Sequence, residues 1–418
     1  MADSREIAVT ILSRMFGERR FLDFAPAERL SDCGFVKMLV LTAVRRYEFL
    51  RRALSQFAKK KLPEKEAVAK YALIAGAAEL LFMNTPDYAV INSYVNLVKT
   101  RGNRYTAGFV NAVLRKVAAE KTTLLQHDKG EFFTPPFFEI LNRDYGKKQI
   151  REIQAASLNE PPLVITVKSD PDGWAQKLNG KTIAENSVVI PAAGKIESLP
   201  GYAEGEWWVQ DYAASLAVSA LNPQPGLKVL DLCAAPGGKT AQLLNAGAVV
   251  TSLDNAQARL NTLKTNMERL HFQPAQIICA DALHYLKDFK AEPFDAILLD
   301  APCSGTGIFR RHPEIPHIKN FMDVDRQTLL QKQILELISP ALKPGGDLIY
   351  CTCSIAQAEG EQQIRRFLAE HPEFSTVPLN RFHAAFATPE GWLRTLPSHL
   401  PEFGGCDAFF IARLHKKD

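Results

Sequence analysis

The chain has 418 residues, 46% of them hydrophobic, which is enough apolar material for two or three packed domains and too much for a disordered polymer. No apolar run is long enough to cross a bilayer, and the polar start Met1-Ala2-Asp3-Ser4-Arg5-Glu6 lacks the apolar stretch of a signal peptide, so a cytoplasmic location is expected. Seven cysteines at irregular spacing argue against a disulfide framework, and Cys351-Thr352-Cys353 has no second pair to complete a zinc site, so no metal is expected. The net charge of +4 is unevenly spread. Residues 1–126 hold 21 Lys+Arg against 12 Asp+Glu, or +9, which leaves 29 against 34, or −5, for the remainder. A basic front suits a polyanion-binding module beside a second, catalytic one; on charge alone it suits an ordinary solvated helical surface equally well.

Residues 4 to about 120 read as all helix. Asp3 caps the first helix and Glu6 completes a capping-box pattern, after which Ile7, Ile11 and Met15 line one face. Val36, Val40, Ala43, Tyr47, Leu50, Leu54 and Phe57 alternate at spacings of four and three, the mark of one buried helical stripe, which Lys59-Lys60-Lys61-Leu62-Pro63 ends. Further periodic segments run over about 65–83, 87–100 and 105–119, with turns at Asn84-Thr85-Pro86 and Gly102-Asn103. Residues 127–160, bracketed by Pro135-Pro136 and Pro161-Pro162, read as a connector. Leu163-Val164-Ile165-Thr166-Val167 then opens a small α+β insert ending near residue 205. From 206 onward, apolar strands at 228–232, 249–253, 276–279, 295–299 and 347–351 alternate with helical segments, which predicts a mostly parallel sheet covered on both faces. The expected domains are therefore 1–126, 127–205 and 206–418.

Lys228 to Thr240 reads as a strand, a glycine turn and a helix start. A phosphate loop fails because Cys233 stands where its first glycine is required, and the Gly-x-Gly-x-x-Gly spacing of dinucleotide folds is absent. Asp254 ends the next strand, 17 residues after Gly237, where a carboxylate binds the two ribose hydroxyls of an adenosine. Asp281 follows the third strand and Asp300 ends the fourth. A lone strand-end Asp is usually a helix cap, but three in succession after a glycine turn favour an adenosine site on one sheet edge. The pattern resembles Rossmann-like S-adenosylmethionine methyltransferases, with Cys233, Ala234, Ala235, Pro236, Gly237, Gly238, Lys239, Asp254, Asp281 and Asp300 as the cofactor-binding residues that the resemblance implies.

Asp300-Ala301-Pro302-Cys303-Ser304-Gly305 and Thr352-Cys353-Ser354 are the most specific motifs in the chain. Together they resemble the NOL1/NOP2/Sun family of RNA cytosine-5 methyltransferases. The front end is similar to the NusB-type RNA-binding bundle through Leu81-Phe82-Met83, Asp87 to Asn92 and Phe109 to Lys116, which points to the bacterial Sun/Fmu (RsmB) branch acting on 16S ribosomal RNA. The resemblance implies a multidomain chain: an all-α NusB-like bundle, a small α+β insert and an α/β Rossmann-like methyltransferase domain. It makes Cys353 the nucleophile, Cys303 the helper in product release and Asp300 a contact to the cytosine. It also makes Arg310-Arg311-His312 a substrate-side segment, while Arg45-Arg46, Arg51-Arg52 and Arg115-Lys116 are candidate phosphate contacts.

The chemistry agrees with those residue types. Cytosine C5 is a poor nucleophile until a thiolate adds at C6 and makes C5 enamine-like, and cysteine supplies a strongly nucleophilic thiolate near neutral pH. Pro302-Cys303 also matches the cysteine of the DNA-directed version of this reaction, so the nucleophile assignment depends on Thr352-Cys353-Ser354. Taken singly, each cysteine is a small core residue, and Cys351, inside the strand, reads as core. Two departures from the family bear on the RNA site rather than the reaction. Glu359-Gly360-Glu361 replaces an acidic-Asn motif, and Thr166-Val167-Lys168-Ser169 stands in a shortened segment that carries Arg-x-Asn in relatives. Gln210-Asp211 and Asp407-Ala408-Phe409-Phe410 also resemble family segments, the latter expected as an edge strand. A monomer is expected. Alternatives are the same chemistry on another RNA such as tRNA, or a non-catalytic RNA-binding assembly factor; cofactor binding separates the latter from an enzyme.

Overall fold

A computed structural model describes residues 3–58, 62–184, 186–191 and 194–418. The chain divides into two compact units. One comprises residues 1–159 with 309–320, the other 160–308 with 321–418.

The first unit is helical. Its six main helices are α1 (Ser4–Glu18), α2 (Cys33–Arg45), α3 (Tyr47–Phe57), α4 (Ala67–Phe82), α5 (Asp87–Arg101) and α6 (Ala107–Ala119). The Asp3 carboxylate accepts from the Arg5 amide and caps α1 as expected. Helix α4 is apolar almost all round because it is the central helix, and its neighbours cover every face. Gly76 permits their approach, since a Cβ there would lie 3.0 Å from Leu114. Glu79, fully buried in this core, accepts from Arg5 and from the Tyr94 hydroxyl. The stripe from Val36 to Phe57 is not one helix. The backbone breaks at Arg46, whose guanidinium pairs with Asp128 at 3.0 Å and lies over the Phe82 ring. Periodicity survives because the interruption is a single residue. The tract Lys59-Lys60-Lys61 lies outside the described residues.

Residues 127–159 belong with this helical unit and form helices Pro135–Asp144 and Lys147–Ser157. Phe132, Phe133 and Phe137 pack around the ring of Phe309, which explains why segment 309–320 is part of the same unit.

The second unit holds two sheets. The smaller comprises β1 (Leu163–Val167), β2 (Lys181–Ala184), β3 (Ser187–Ile190) and β4 (Trp207–Val209), in the order β2-β3-β1-β4, all antiparallel. The larger comprises β5 (Lys228–Leu232), β6 (Val249–Asp254), β7 (Gln276–Cys279), β8 (Phe294–Asp300), β9 (Leu342–Thr352), β10 (Phe374–Thr376), β11 (Leu393–Thr395) and β12 (Phe409–Lys416). Its path is β10-β12-β9-β8-β5-β6-β7, with β11 also on β12. Strands β5 to β9 are parallel, so the five strands expected from the sequence all form. Phe409–Lys416 is not an edge strand. It is inserted antiparallel, with β9 on one side and β10 and β11 on the other, which buries its apolar residues. Strand β8 is apolar and buried through Ala296–Leu299, as suits a strand covered on both faces, whereas β5 and β6 bury the polar residues Asp231, Thr251 and Ser252 within theirs. The chain runs outward from β5 through β6 to β7, and outward the other way from β8 to β9. The direction therefore switches between β5 and β8, where open α/β sheets bind ligands.

Candidate active site

A cleft of about 330 Å³ opens at this switch point. Asp254, Asp281 and Asp300 line it together with Cys233, Cys303 and Cys353, so six residues singled out from the sequence share one cavity. The parallel register pairs Asp300 with Cys351, which carries Asp300 and Cys353 to neighbouring strand ends.

At one end of the cleft, Asp254 is buried where β6 meets the glycine turn. Its Oδ2 accepts from the Ala235 amide at 3.2 Å and faces Arg259 at 3.3 Å; its Oδ1 accepts from Ala256 at 3.2 Å. A carboxylate has about four acceptor positions, so Asp254 both holds the turn and retains capacity toward a ligand. Arg259 also donates to the Ala235 carbonyl. Asp281 caps helix Ala282–Lys287 by accepting from Leu283 and His284 and still faces the cleft. Burial, then the charges of Asp300, Asp254 and Asp231, push the Cys233 thiol up to about 12. The same negative field, with the Asp254 carboxylate at a strand end, fits a cationic adenosine sulfonium such as S-adenosylmethionine.

At the other end, the Cys303 and Cys353 sulfurs are 3.2 Å apart. The hydrogen bond to Cys353, and then burial, raise the Cys303 pKa well above that of a free thiol, so Cys303 keeps its proton. Lys239 Nζ donates to Asp300 Oδ2 at 2.7 Å and lies over the Phe409 ring. Burial opposes its charge, but the charge and hydrogen bond of Asp300, with Cys351 and Cys353, together outweigh burial and raise the ammonium pKa. Cys351 is buried, as expected, and its thiol contacts the other Asp300 oxygen at 3.6 Å. Ala234, Ala235, Pro236, Gly237, Gly238 and Lys239 line a second cavity of about 300 Å³, which also reaches Asp300.

The loops carrying the thiols are held by interior groups to which the sequence reading gave no such role. Glu359, fully buried, accepts from Ser304 N at 2.8 Å and Gln331 Nε2 at 3.1 Å through one oxygen, and from the Ser304 and Ser354 hydroxyls through the other. Arg394 is paired with Glu361 and donates to the Ser354 carbonyl. A Cβ at Gly360 would meet Arg394 Nη2 at 2.4 Å, so the glycine in this departure from the family motif makes room for the guanidinium. Gly307 N donates to the Cys353 carbonyl at 2.9 Å, and the Gly307 carbonyl accepts from Ala408 at 3.0 Å. The two remaining family-like segments meet here as well, Asp407 N donating to Asp211 at 3.1 Å.

The basic residues fare differently. Arg310 is buried in the helical unit and its carbonyl accepts from Arg45, also buried; these two consolidate the unit instead of offering charge to a phosphate. Arg46 is engaged with Asp128, Arg51 with Glu48 and Arg52 with Glu131, while Arg311 is half-buried. His312 is exposed beside Glu314, and Arg115 and Lys116 are exposed on α6. Among the described residues, no cluster of three or more His, Cys, Asp or Glu side chains is arranged for a metal, and no helix is long and apolar enough to cross a membrane.

Comparison with known proteins gives consistent matches. Residues 218–415 match the family described as 16S rRNA methyltransferase RsmB/F, and residues 2–119 match the NusB family. A ribosomal RNA small subunit methyltransferase B from Vibrio vulnificus is 33% identical over 84% of this chain and 86% of its own length. One from Pasteurella multocida is 31% identical over 100% of this chain and 96% of its own. Among solved structures, a methyltransferase homologue from Pyrococcus horikoshii is 26% identical with a TM-score of 0.54, covering 68% of this chain and 99% of that one. NSun6 from the same organism shares the fold at 18% identity, with a TM-score of 0.60 over 69% of this chain and 99% of its own.

Proposed function

The chain belongs to the RsmB/F methyltransferase family, and from that premise we propose that it methylates C5 of a cytosine in RNA, with small-subunit ribosomal RNA as substrate, through a covalent adduct of Cys353 at C6. The observation that carries this reading is the pair of sulfurs 3.2 Å apart, beside the Asp300–Lys239 pair, at the edge of a carboxylate-lined cleft.

Asp254 and Asp281 would hold S-adenosylmethionine in the acidic cleft, where it would supply an electrophilic methyl group on a sulfonium centre. Cys353, as thiolate, forms a bond to C6 and shifts the C5–C6 electron pair to C5, which would take up the methyl group as the methyl–sulfur bond breaks and S-adenosylhomocysteine leaves. Lys239 and Asp300, locked together at 2.7 Å, meet the charge and hydrogen-bonding edge of the ring. The C5 proton then leaves to a base, the C5–C6 double bond re-forms and the C6–S bond breaks. Cys303, whose thiol contacts Cys353 at 3.2 Å, returns a proton to the departing sulfur; the sulfur contact supports this role. The target base has to leave its stack to expose C6, and the exposed Arg115 and Lys116 are candidate backbone contacts for the flanking RNA.

The test uses cofactor labelled in the methyl group with 16S ribosomal RNA and tRNA in parallel. Label is expected at C5 of cytosine in the ribosomal RNA. Cys353→Ala should lower transfer by about 10³-fold or more, and Cys303→Ala should accumulate a protein–RNA adduct resistant to denaturing gels. Label in tRNA alone would overturn the substrate assignment, and undiminished transfer by Cys353→Ala would overturn the nucleophile.

A further inference from the structure

Beside the Arg394 and Gly307 attachments, several hydrogen bonds of the thiol-bearing loops converge on one side chain. Cys303 is preceded by Pro302, whose carbonyl accepts from Gln331 at 3.0 Å, and Gln331 donates in turn to Glu359 at 3.1 Å. Cys303 is followed by Ser304, whose amide and hydroxyl both donate to Glu359. Cys353 is followed by Ser354, whose hydroxyl donates to the same carboxylate. Thr306 bridges the two hydroxyls, at 2.9 Å to Ser304 and 3.0 Å to Ser354. Glu359 lines neither cavity, is fully buried, and its backbone carbonyl accepts from Tyr350 and Thr352, which anchors it to β9.

Burying a carboxylate without a cation is costly unless donors satisfy it. Four donors converge on this one, and three come from residues adjacent to a reactive cysteine. We propose that Glu359 is a positioning residue that sets the separation of the Cys303 and Cys353 sulfurs by clamping Ser304 and Ser354, and so governs the addition and release steps without touching the cofactor or the base. The proposal rests on the methyl-transfer reading for its catalytic consequence and on the hydrogen bonds alone for the geometry. A shared carboxylate is suited to this because the two loops are 50 residues apart in the chain, and beside the Gly307–Cys353 backbone bond Ser304 and Ser354 meet directly only through their hydroxyls, at 3.5 Å.

The experiment compares Glu359→Ala, Glu359→Gln and Ser354→Ala. Displacement of a reacting group by about 1 Å costs about 10²-fold, so Glu359→Ala should lower kcat by about that factor with cofactor Kd within about twofold of wild type. Glu359→Gln should recover most of the loss, because its amide accepts from the Ser304 amide and both serine hydroxyls can turn to accept from it. Ser354→Ala, which keeps the buried carboxylate satisfied by Ser304 and Gln331, provides a milder break if Glu359→Ala does not fold; its kcat should fall while cofactor Kd holds. A second readout needs no RNA. Iodoacetamide alkylation of Cys303 and Cys353, followed by mass spectrometry, should be at least about tenfold faster once the clamp is opened. Unchanged kcat and unchanged alkylation in Glu359→Ala and Ser354→Ala would overturn the proposal, as would parallel loss of cofactor binding. Should wild-type protein methylate no RNA, the methyl-transfer reading fails while the alkylation rates still decide the clamp.

Discussion

Asp281, at one end of the cleft, is nearly half exposed and held by the helix it caps, whereas Cys303 and Cys353, at the other, sit in loops tied on their flanks by buried groups. Asp254 stands between these extremes, buried yet facing both the glycine turn and the cavity. Under the proposed reaction, the difference follows what each end would have to do. A diffusible cofactor must enter and leave in every turnover, which favours exposed carboxylates with spare acceptor capacity. Bond making at carbon needs sulfur placed to a fraction of an ångström, which favours loops over-determined by interior hydrogen bonds.

Substitutions that act on one end alone test this contrast, and the largest effect is expected at Gly307. A Cβ there would lie 2.1 Å from the Ala408 carbonyl and 2.8 Å from that of Cys353. Gly307→Ala should cost about 3 kcal/mol in thermal or denaturant unfolding and abolish transfer while the folded fraction still binds cofactor in calorimetry. Asp254→Ala should do the reverse, weakening cofactor binding by about 2 kcal/mol, or roughly 30-fold, with cysteine alkylation rates unchanged.

Asp231 lies beneath both ends, and its pH dependence has a definite sign. Burial pushes its carboxyl up to about 7 despite the Thr240 hydroxyl bond. An acid whose folded pKa exceeds its unfolded one contributes stability fully below the unfolded value near 4 and loses it as pH rises through about 7. Asp231→Asn, which does not ionise, should therefore gain about 1.4 kcal/mol relative to wild type between pH 6 and pH 8, read as a difference in Tm at each pH. The smallest effect is at Asp281. Asp281→Asn keeps a helix cap and should lower only cofactor affinity, by about 1 kcal/mol, whereas Asp281→Ala should also lower stability by about 1 kcal/mol.

Chain order and residue type made much of this legible. The five parallel strands, the strand-end carboxylates and the two thiols could be read because each depends on local pattern: an apolar run, then a residue whose chemistry is useful at a sheet edge. What escaped depends on partners remote in sequence. Glu359 was visible only as a departure from a family motif, because its importance lies in serines 55 and 5 residues away on different loops. Arg310 looked like a phosphate contact because nothing adjacent tells a buried arginine from an exposed one. The apolar Phe309, Ile315 and Pro316 around it were the available sign that this segment enters a core. Phe409–Lys416 was misplaced at an edge because strand order in a sheet is not written in any one strand.

The antiparallel insertion of β12 has a consequence for how the protein is made. A ribosome completes both thiols, every carboxylate of the cleft and Glu359 before it synthesises residues 409–416. Until that strand emerges, β9 presents an open apolar edge and the Gly307 carbonyl lacks the Ala408 amide that helps hold the Cys353 loop. A chain interrupted between 353 and 409 therefore contains all the reactive groups without their alignment, and its exposed edge marks it for aggregation or proteolysis. The aligned site is complete only with the last strand, so an incomplete copy is not a partly working enzyme.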